Sequence, residues 1–302
     1  MSNSDAPRTT ESDVALDLRL LRVLSCDLEF EVNRDSAIEL QIAVAKSAAV
    51  VVGETLAVTV DGEAVRSIRE IEGPHGARIH YVHVPSGRLD VVYRAELRVT
   101  TPPAVIRIKA SDESGAGAKP DIEYPELMYL RPSRYCQSDH LEGFALTEFG
   151  TTAAASDRVD AVVEWIRRRI DYLPGSGSVH DSAEDTLLTG LGTCRDFAHL
   201  GVALCRAIGI ASRFTAVYAP GLTPMDFHAV FETLQGGRWL VHDATGLAPR
   251  SGFVRISTGR DAADAAFASF EREAVTLTRM NVGASTGSVL PLEDWSQAVE
   301  LA

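Results

Sequence analysis

The sequence predicts an α+β protein in which an N-terminal antiparallel β-sandwich precedes a buried helix packed on an antiparallel sheet. Residues 14–118 read mainly as short β-rich runs separated by turn signals. Residues 194–208 have helical character and are apolar on nearly all sides, as expected of a buried helix. Further on, two strand-like runs are joined by a Gly-Gly pair, which predicts a hairpin. The 302 residues are enough for two such domains.

Composition excludes several classes of protein. The chain holds 42 acidic and 29 basic residues, and its formal net charge of −13 argues against nonspecific binding to nucleic acid or to an anionic membrane. No apolar run is long enough to span a bilayer, and the N-terminal residues lack the pattern of a signal peptide. Four cysteines in a chain of this length do not make a disulfide scaffold. We therefore expect the protein to be located in the cytoplasm.

The N-terminal half divides into a flexible tail over residues 1–13 and a β-rich domain over residues 14–118. Apolar residues alternate with other residues from Ile38 to Val44, which is the period of a half-buried strand. Further β-rich runs cover 50–60, 77–84, 89–99 and 104–108. Residues 111–120 are small, polar and glycine-rich, so we place a boundary there and assign 119–302 to the second domain.

Helices of the second domain are marked by their caps. Apolar residues recur at helical spacing over 156–170. Ser182 with Asp185, and Thr193 with Asp196, resemble capping boxes. The second box predicts a helix from Cys194 to about Ile208. Strand-like runs follow at 212–219, 227–234, 239–244, 254–256 and 274–282, while 260–270 fits a helix or a loop equally.

Cys194 is the predicted nucleophile. It occupies the first helical position after the Thr193 cap, where unpaired backbone N–H groups and the helix dipole favour a thiolate. The same N–H groups can donate to an oxyanion that forms on an acyl substrate. A thiol nucleophile also needs a base and a group that orients the base.

The predicted hairpin supplies both groups, His228 on its first strand and Asp243 on its second. If the turn is centred on Gln235-Gly236, these two residues face each other; if it is centred on Gly236-Gly237, they are diagonal neighbours. Either register puts them on the same face, because the offset is even. His242 then points to the opposite face.

Several motifs around these residues resemble the core of transglutaminase-like cysteine enzymes. They are GTCRDFA at 192–198, CRAIGI at 205–210, DFHA at 226–229 and WLVHDAT at 239–245. The segments YLRPSRYCQSD at 129–139 and TGRDAAD at 258–264 resemble those of the bacterial branch, in which a β-rich domain precedes the core. The resemblance implies a papain-like core and a thiol acyl-enzyme. The animal cross-linking enzymes of this family carry calcium sites, but no acidic calcium-loop pattern is visible in this sequence, so calcium dependence is not predicted.

Other residues near the motifs are weaker candidates. Tyr135, Cys136, Gln137 and Asp139 lie in a polar stretch before the core and are candidates for lining the cleft, with ordinary loop packing as the alternative for Cys136. We expect Cys26 and Cys205 in the core, His199 in a structural role and Asp196 as a cap. The Cys and His residues on the 194–208 helix lack metal-ligand spacing, so no metal or other cofactor is predicted.

The predicted activity is thiol-dependent hydrolysis of an amide bond in a peptide or other amide substrate. Transamidation by the same acyl-enzyme stays open, although nothing marks a second cleft for an amine. Arylamine acetyl transfer also uses Cys, His and Asp in this order, but that family places its cysteine early in the chain. A non-catalytic binding module would be expected to lack one of the three residues, and all three are present.

Overall fold

The computed structural model describes residues 20–47, 50–99, 105–106, 124–150, 154–287 and 289–301. The predicted tail and the predicted boundary segment lie outside these residues. The first eight strands are β1 (Leu21–Val32), β2 (Ser36–Leu40), β3 (Val50–Val60), β4 (Glu63–Ala64), β5 (Ile68–Glu72), β6 (Arg78–Val84), β7 (Gly87–Arg98) and β8 (Val105–Ile106). No described helix is long and apolar enough to cross a membrane.

The second half begins with helices and continues as a sheet. Its helices are α1 (Tyr124–Met128), α2 (Glu142–Phe149), α3 (Ala155–Arg169), α4 (Ala183–Thr189) and α5 (Cys194–Ala207). Its strands are β9 (Asp171–Tyr172), β10 (Leu191–Gly192), β11 (Ser212–Tyr218), β12 (Phe227–Gln235), β13 (Arg238–His242), β14 (Val254–Gly259), β15 (Ala268–Phe270), β16 (Val275–Thr286) and β17 (Ala298–Val299).

The N-terminal half is built from two antiparallel sheets, and each is completed by a strand from the end of the chain. One sheet has the order β16-β1-β7-β3-β4, and the other has the order β15-β2-β6-β5. Strand β16 pairs with β1 from Thr286 opposite Arg22 to Val275 opposite Val32. The segment 260–270, left open between helix and loop, therefore ends in a sandwich strand. Assignment of 119–302 to one catalytic domain remains a prediction. It does not account for β15 and β16, which belong to the sheets of the N-terminal half.

One apolar core runs through the sandwich and into the second half. It includes Phe30 and Tyr93 of the sandwich together with Tyr218 and Ile256 of strands β11 and β14. The Tyr218 hydroxyl donates to the carbonyl of Ile42 at 2.8 Å, so the buried phenol is satisfied across the junction. The two halves are thus joined by packing as well as by the chain.

A buried ionic cluster forms a second junction. Glu232 is fully buried on β12 and accepts from Arg213 at 2.9 Å and from Arg255 at 2.6 Å. His75, from the sandwich half, lies 3.3 Å from Arg213 and 2.6 Å from the Tyr129 hydroxyl. The two guanidinium groups satisfy a carboxylate that would otherwise be costly to bury.

Helix α5 packs on a four-stranded antiparallel sheet of order β13-β12-β11-β14, which confirms the predicted fold class. Contact between helix and sheet is close at Gly201. A Cβ atom on this residue would lie 2.4 Å from a ring carbon of Phe231 on β12. Glycine at this helical position is therefore required by packing rather than by backbone conformation.

The hairpin of β12 and β13 adopts the register centred on Gly236-Gly237. Phe231 pairs with His242, and Gln235 pairs with Arg238. Both turn glycines have positive φ, 56° and 74°, as a two-residue hairpin turn of the favoured type requires. Asp243 directly follows β13, and this register, extended beyond the paired residues, makes it the diagonal neighbour of His228, the second of the two arrangements that the spacing allowed.

Candidate active site

The N-terminus of α5 is held by the predicted capping box. One carboxylate oxygen of Asp196 accepts from both the backbone N–H and the hydroxyl of Thr193, each at 2.9 Å. The other oxygen accepts from Arg195 at 2.8 Å. A Cβ atom on Gly192 would lie 2.8 Å from Cβ of Asp196, so glycine lets the chain enter the helix here. This network sets the position of the intervening Cys194.

Cys194 differs from the other three cysteines in its exposure. All four are free thiols, but only Cys194 is partly exposed. Cys26 and Cys205 lie in apolar cores, as predicted, and burial raises the pKa of each thiol to about 12. Cys136 is also fully buried, and burial raises its pKa to about 12. Among the cysteines, Cys194 alone combines access with a helix N-terminus.

His228 and Asp243 form a buried pair. Nε2 of His228 lies 2.9 Å from Oδ2 of Asp243, and both side chains are almost fully buried. The remaining oxygen of Asp243 accepts from the backbone N–H and the hydroxyl of Thr245, at 2.9 and 2.7 Å. Phe253 contacts the edge of the imidazole, with ring centroids 5.6 Å apart. The imidazole is therefore oriented by a carboxylate that is itself fixed.

This environment favours the charged imidazolium. Burial alone lowers the pKa of His228, but the negative charge and hydrogen bond of Asp243 outweigh it. Interaction with the Cys194 thiol acts in the same direction, and together these contacts raise the pKa of His228 to about 10. Asp243 leaves the buried Nδ1 of His228 as the ring nitrogen available to the thiol.

A cavity of about 800 Å³ opens beside the thiol. Its wall includes Cys194, His228 and, among the weaker candidates, Tyr135. The Tyr135 ring stacks on His199, with centroids 5.2 Å apart. Tyr135 is thus positioned in the wall by a side chain of α5.

The other three weaker candidates do not lie in this wall. The Cys136 thiol packs in the core and donates to the carbonyl of His199 at 3.5 Å, which corrects the cleft-lining expectation in favour of ordinary packing. The Gln137 amide donates to the carbonyl of Arg134 at 3.1 Å. Asp139 is exposed, and its carboxylate lies 3.9 Å from His140. The segment is a series of turns, and of these four side chains only that of Tyr135 lines the cavity.

The structure assigns His199 a packing role. Its Nε2 accepts from the backbone N–H of Ala262 at 3.1 Å, and the ring lies between Tyr135 and Phe214. Burial, assisted by the nearby Arg195, lowers the pKa of His199 to about 3, so the ring is neutral. Through this contact α5 holds the loop that begins at Ala262.

Three residues near the site had no predicted role: Thr245, Phe253 and Tyr172. The spacing of Asp243 and Thr245 is that of a local side-chain turn and could have indicated the first. Tyr172 contacts Phe197 on α5, with ring centroids 5.9 Å apart. Burial and the nearby Cys194 raise the pKa of Tyr172 to about 12. Neither aromatic residue carried a local signal, because only the fold brings them to the site.

Within the described ranges, no group of three or more His, Cys, Asp or Glu side chains is arranged to hold a metal ion. The residues at the site are instead a thiol at a helix N-terminus and a histidine–carboxylate pair on a neighbouring hairpin. This arrangement is characteristic of thiol-dependent enzymes.

Comparison with known proteins agrees with this class. Residues 145–244 match the family model of the transglutaminase-like superfamily. The structure of a candidate cysteine protease from Cytophaga hutchinsonii is 30% identical and superposes with a TM-score of 0.80, covering 93% of this chain and 97% of that chain. The chain therefore belongs to the transglutaminase-like superfamily.

A second relative is an uncharacterized protein of Mycobacterium leprae. It is 33% identical over 119 residues, which make up 36% of this chain. The match spans 42% of the length of that protein.

Proposed function

We propose that this protein is a cysteine peptidase or amidase in which Cys194 is the nucleophile, His228 the proton carrier and Asp243 the residue that orients His228. The observation that carries the proposal is the buried bond between Nε2 of His228 and Asp243, which leaves Nδ1 for the thiol. The raised pKa of His228, about 10, supports a protonated imidazolium at neutral pH that can give its proton to the leaving amine.

In the proposed reaction, Sγ of Cys194 attacks the carbonyl carbon of the amide and forms a C–S bond. Backbone N–H groups of the first turn of α5 stabilise the resulting oxyanion. His228 then gives its proton to the amide nitrogen, the C–N bond breaks, and the amine leaves. Next, His228 removes a proton from water, which attacks the thioester and releases the acid. The C–S bond breaks, and the thiolate and imidazolium are restored.

Hydrolysis is favoured over transamidation as the fate of the thioester. An amine acceptor would need its own binding groups beside the acyl-enzyme. The described residues form one large cavity at Cys194, and its wall includes a single acidic residue, Asp226. A transamidase with bound amine remains the second candidate, since the same thioester serves both reactions.

A digest of a peptide library, with and without added primary amines, tests this proposal. Mass spectrometry should show cleavage products with free carboxyl groups and few amine adducts. Adducts that dominate over acids would identify a transamidase. Cys194→Ala should abolish both products and labelling by iodoacetamide at neutral pH. Cys205→Ala is the matched control, because it removes a buried thiol from the same helix and should keep the activity. Undiminished labelling of Cys194→Ala would contradict the mechanism.

A further inference from the structure

The cavity beside Cys194 has walls from three parts of the chain. Phe214 and Ala216 of β11 contribute one wall, and the loop 262–267 contributes another. Strand β16 of the sandwich sheet supplies a third, with Leu277 and Met280. These lining groups are mainly apolar, and the volume of about 800 Å³ exceeds that of any single side chain.

Small side chains surround the nucleophile itself. Cys194 packs in a cluster with Ala216 and Ala262, together with the buried Ala229 and Ala265. The cluster also contains Ala198 and one large side chain, Phe214, so alanines make up most of the surroundings of the thiol and leave open space that larger side chains would fill. Aromatic rings also line the cavity, among them Phe227 and Phe267, which stack with centroids 5.3 Å apart. The space next to Sγ is therefore both roomy and apolar.

Charge does not offset this apolar character. The charged residues of the wall are Arg195, Asp226 and Arg272, together with His228, whose imidazolium is paired with Asp243 at 2.9 Å. Arg195 is paired with Asp196 at 2.8 Å. Asp226 and Arg272 are opposite in sign, so the wall carries no net excess of charge that would select an acidic or a basic side chain.

From this geometry we infer the acyl-side specificity of the enzyme: the residue whose carbonyl is attacked carries a bulky apolar side chain, which this cavity accommodates. The inference rests on the proposed function. After the amine leaves, the acyl group stays bonded to Sγ of Cys194, so its side chain occupies the space that adjoins the thiol. Burial of a Phe side chain there should favour it over Gly by about tenfold to hundredfold.

Peptidyl chloromethyl ketones that differ only in their last residue test the inference. Each reagent alkylates Sγ, forming an S–C bond and releasing chloride, and so reports acyl-side binding without the need for a known substrate. Second-order inactivation rates are measured for reagents ending in Phe, Gly and Glu. Each rate is divided by the iodoacetamide rate of the same protein, which corrects for thiol reactivity. We expect the normalised inactivation rate of the reagent ending in Phe to exceed that of the reagent ending in Gly by about tenfold or more. The reagent ending in Glu should be the slowest.

Two variants fill the cavity from the same loop, Ala262→Phe and Ala266→Phe. Each should lower the Phe-to-Gly ratio about tenfold, because the new ring occupies the space of the substrate side chain. Ala37→Phe is the matched control: Ala37 is partly buried on β2 and does not line the cavity, so its ratio should equal that of the wild type. Thermal unfolding midpoints identify any variant whose fold is impaired. If both variants fail to fold, the rates of the three reagents on the wild-type protein still test the inference.

Equal normalised rates for the three reagents, with normal iodoacetamide reaction at Cys194, would overturn this inference and leave the proposed function intact. Preference for Glu would overturn it as well. Failure of iodoacetamide to modify Cys194 would instead refute the proposed function, and the specificity inference with it.

Discussion

His228 lies on β12 and Asp243 directly follows β13, and Nε2 of His228 lies 2.9 Å from Oδ2 of Asp243. Thr245 fixes the carboxylate from its other side with two hydrogen bonds. The imidazole of His228 therefore has little freedom to rotate. Thr245 holds the Asp243 carboxylate, and the carboxylate in turn fixes the orientation of the ring and of its Nδ1.

Asp243→Asn should lower kcat/KM by about 10²- to 10⁴-fold, because a neutral amide neither holds the imidazolium nor selects its tautomer. The pKa of His228 should fall from about 10. The measurements are peptide cleavage and the pH profile of alkylation at Cys194. Thr245→Val is the control: it removes one hydrogen bond but keeps the carboxylate, so we expect a loss of about tenfold or less. Wild-type activity of Asp243→Asn would contradict the assigned role of the carboxylate.

Iodoacetamide should add to one thiol of the folded protein and to four thiols of the denatured protein, as counted by intact mass. Cys26, Cys136 and Cys205 are fully buried, and burial raises each thiol pKa to about 12, so their thiolates are scarce at pH 7. Cys194→Ala should give no adduct when folded and three when denatured. A second adduct on the folded wild type would show that another cysteine is accessible.

The free energy of unfolding should fall as pH drops from about 6.5 towards 4. Burial lowers the pKa of His75 to about 4, with Arg213 and Arg255 acting in the same direction against Glu232. Burial likewise lowers the pKa of His199 and of His242 to about 3. Unfolded histidines titrate near 6.5, so below that pH the unfolded chain binds more protons. Stability is lost at about 1.4 kcal/mol per pH unit for each histidine.

Urea unfolding at pH 6.5 and 5.0 measures this loss. His75→Asn is a suitable variant, because His75 has a φ of 56° and asparagine tolerates that conformation without titrating. The variant should lose less stability than the wild type between the two pH values. Identical losses would show that His75 does not contribute.

His228 has the opposite effect on the pH dependence of stability. Its pKa in the folded protein is raised to about 10, so its contribution is complete below pH 6.5 and is lost as pH rises towards 10. We expect stability to decline from pH 6.5 to 8.5 in the wild type and to decline less in His228→Asn. A steeper decline in the variant would contradict the raised pKa.

Gly201→Ala should destabilise the protein by about 1–3 kcal/mol, because the added methyl would lie 2.4 Å from the Phe231 ring and force α5 away from β12. Gly143→Ala on α2 is the matched control: its added methyl meets nothing within 4 Å, so we expect a gain of up to about 1 kcal/mol. Thermal or urea unfolding distinguishes the two. Adding Phe231→Leu to Gly201→Ala should recover part of the loss; no recovery would place the strain elsewhere.

Local sequence signals were sufficient for the helix of Cys194 and for the hairpin. The Thr193–Asp196 cap, the Gly236-Gly237 turn and the even offset of His228 and Asp243 are all short-range features, and each is present in the structure. Such features can be predicted from the sequence because their hydrogen bonds and turn geometry involve residues only a few positions apart. Of the two registers that the spacing allowed, the one formed places both glycines, each with positive φ, in the turn.

Features that join distant parts of the chain emerged only from the tertiary structure. Strand β16 pairs with β1 across more than 240 positions, as at Val275 and Val32, and no local pattern encodes its partner. The same packing places Met280 and Ala262 around one cavity and buries Cys136, although its polar neighbours suggested exposure. Periodicity determines which face of a segment is apolar, whereas burial against another segment decides what that face touches. The local sequence therefore established the reactive groups, and long-range packing created the space in which they act.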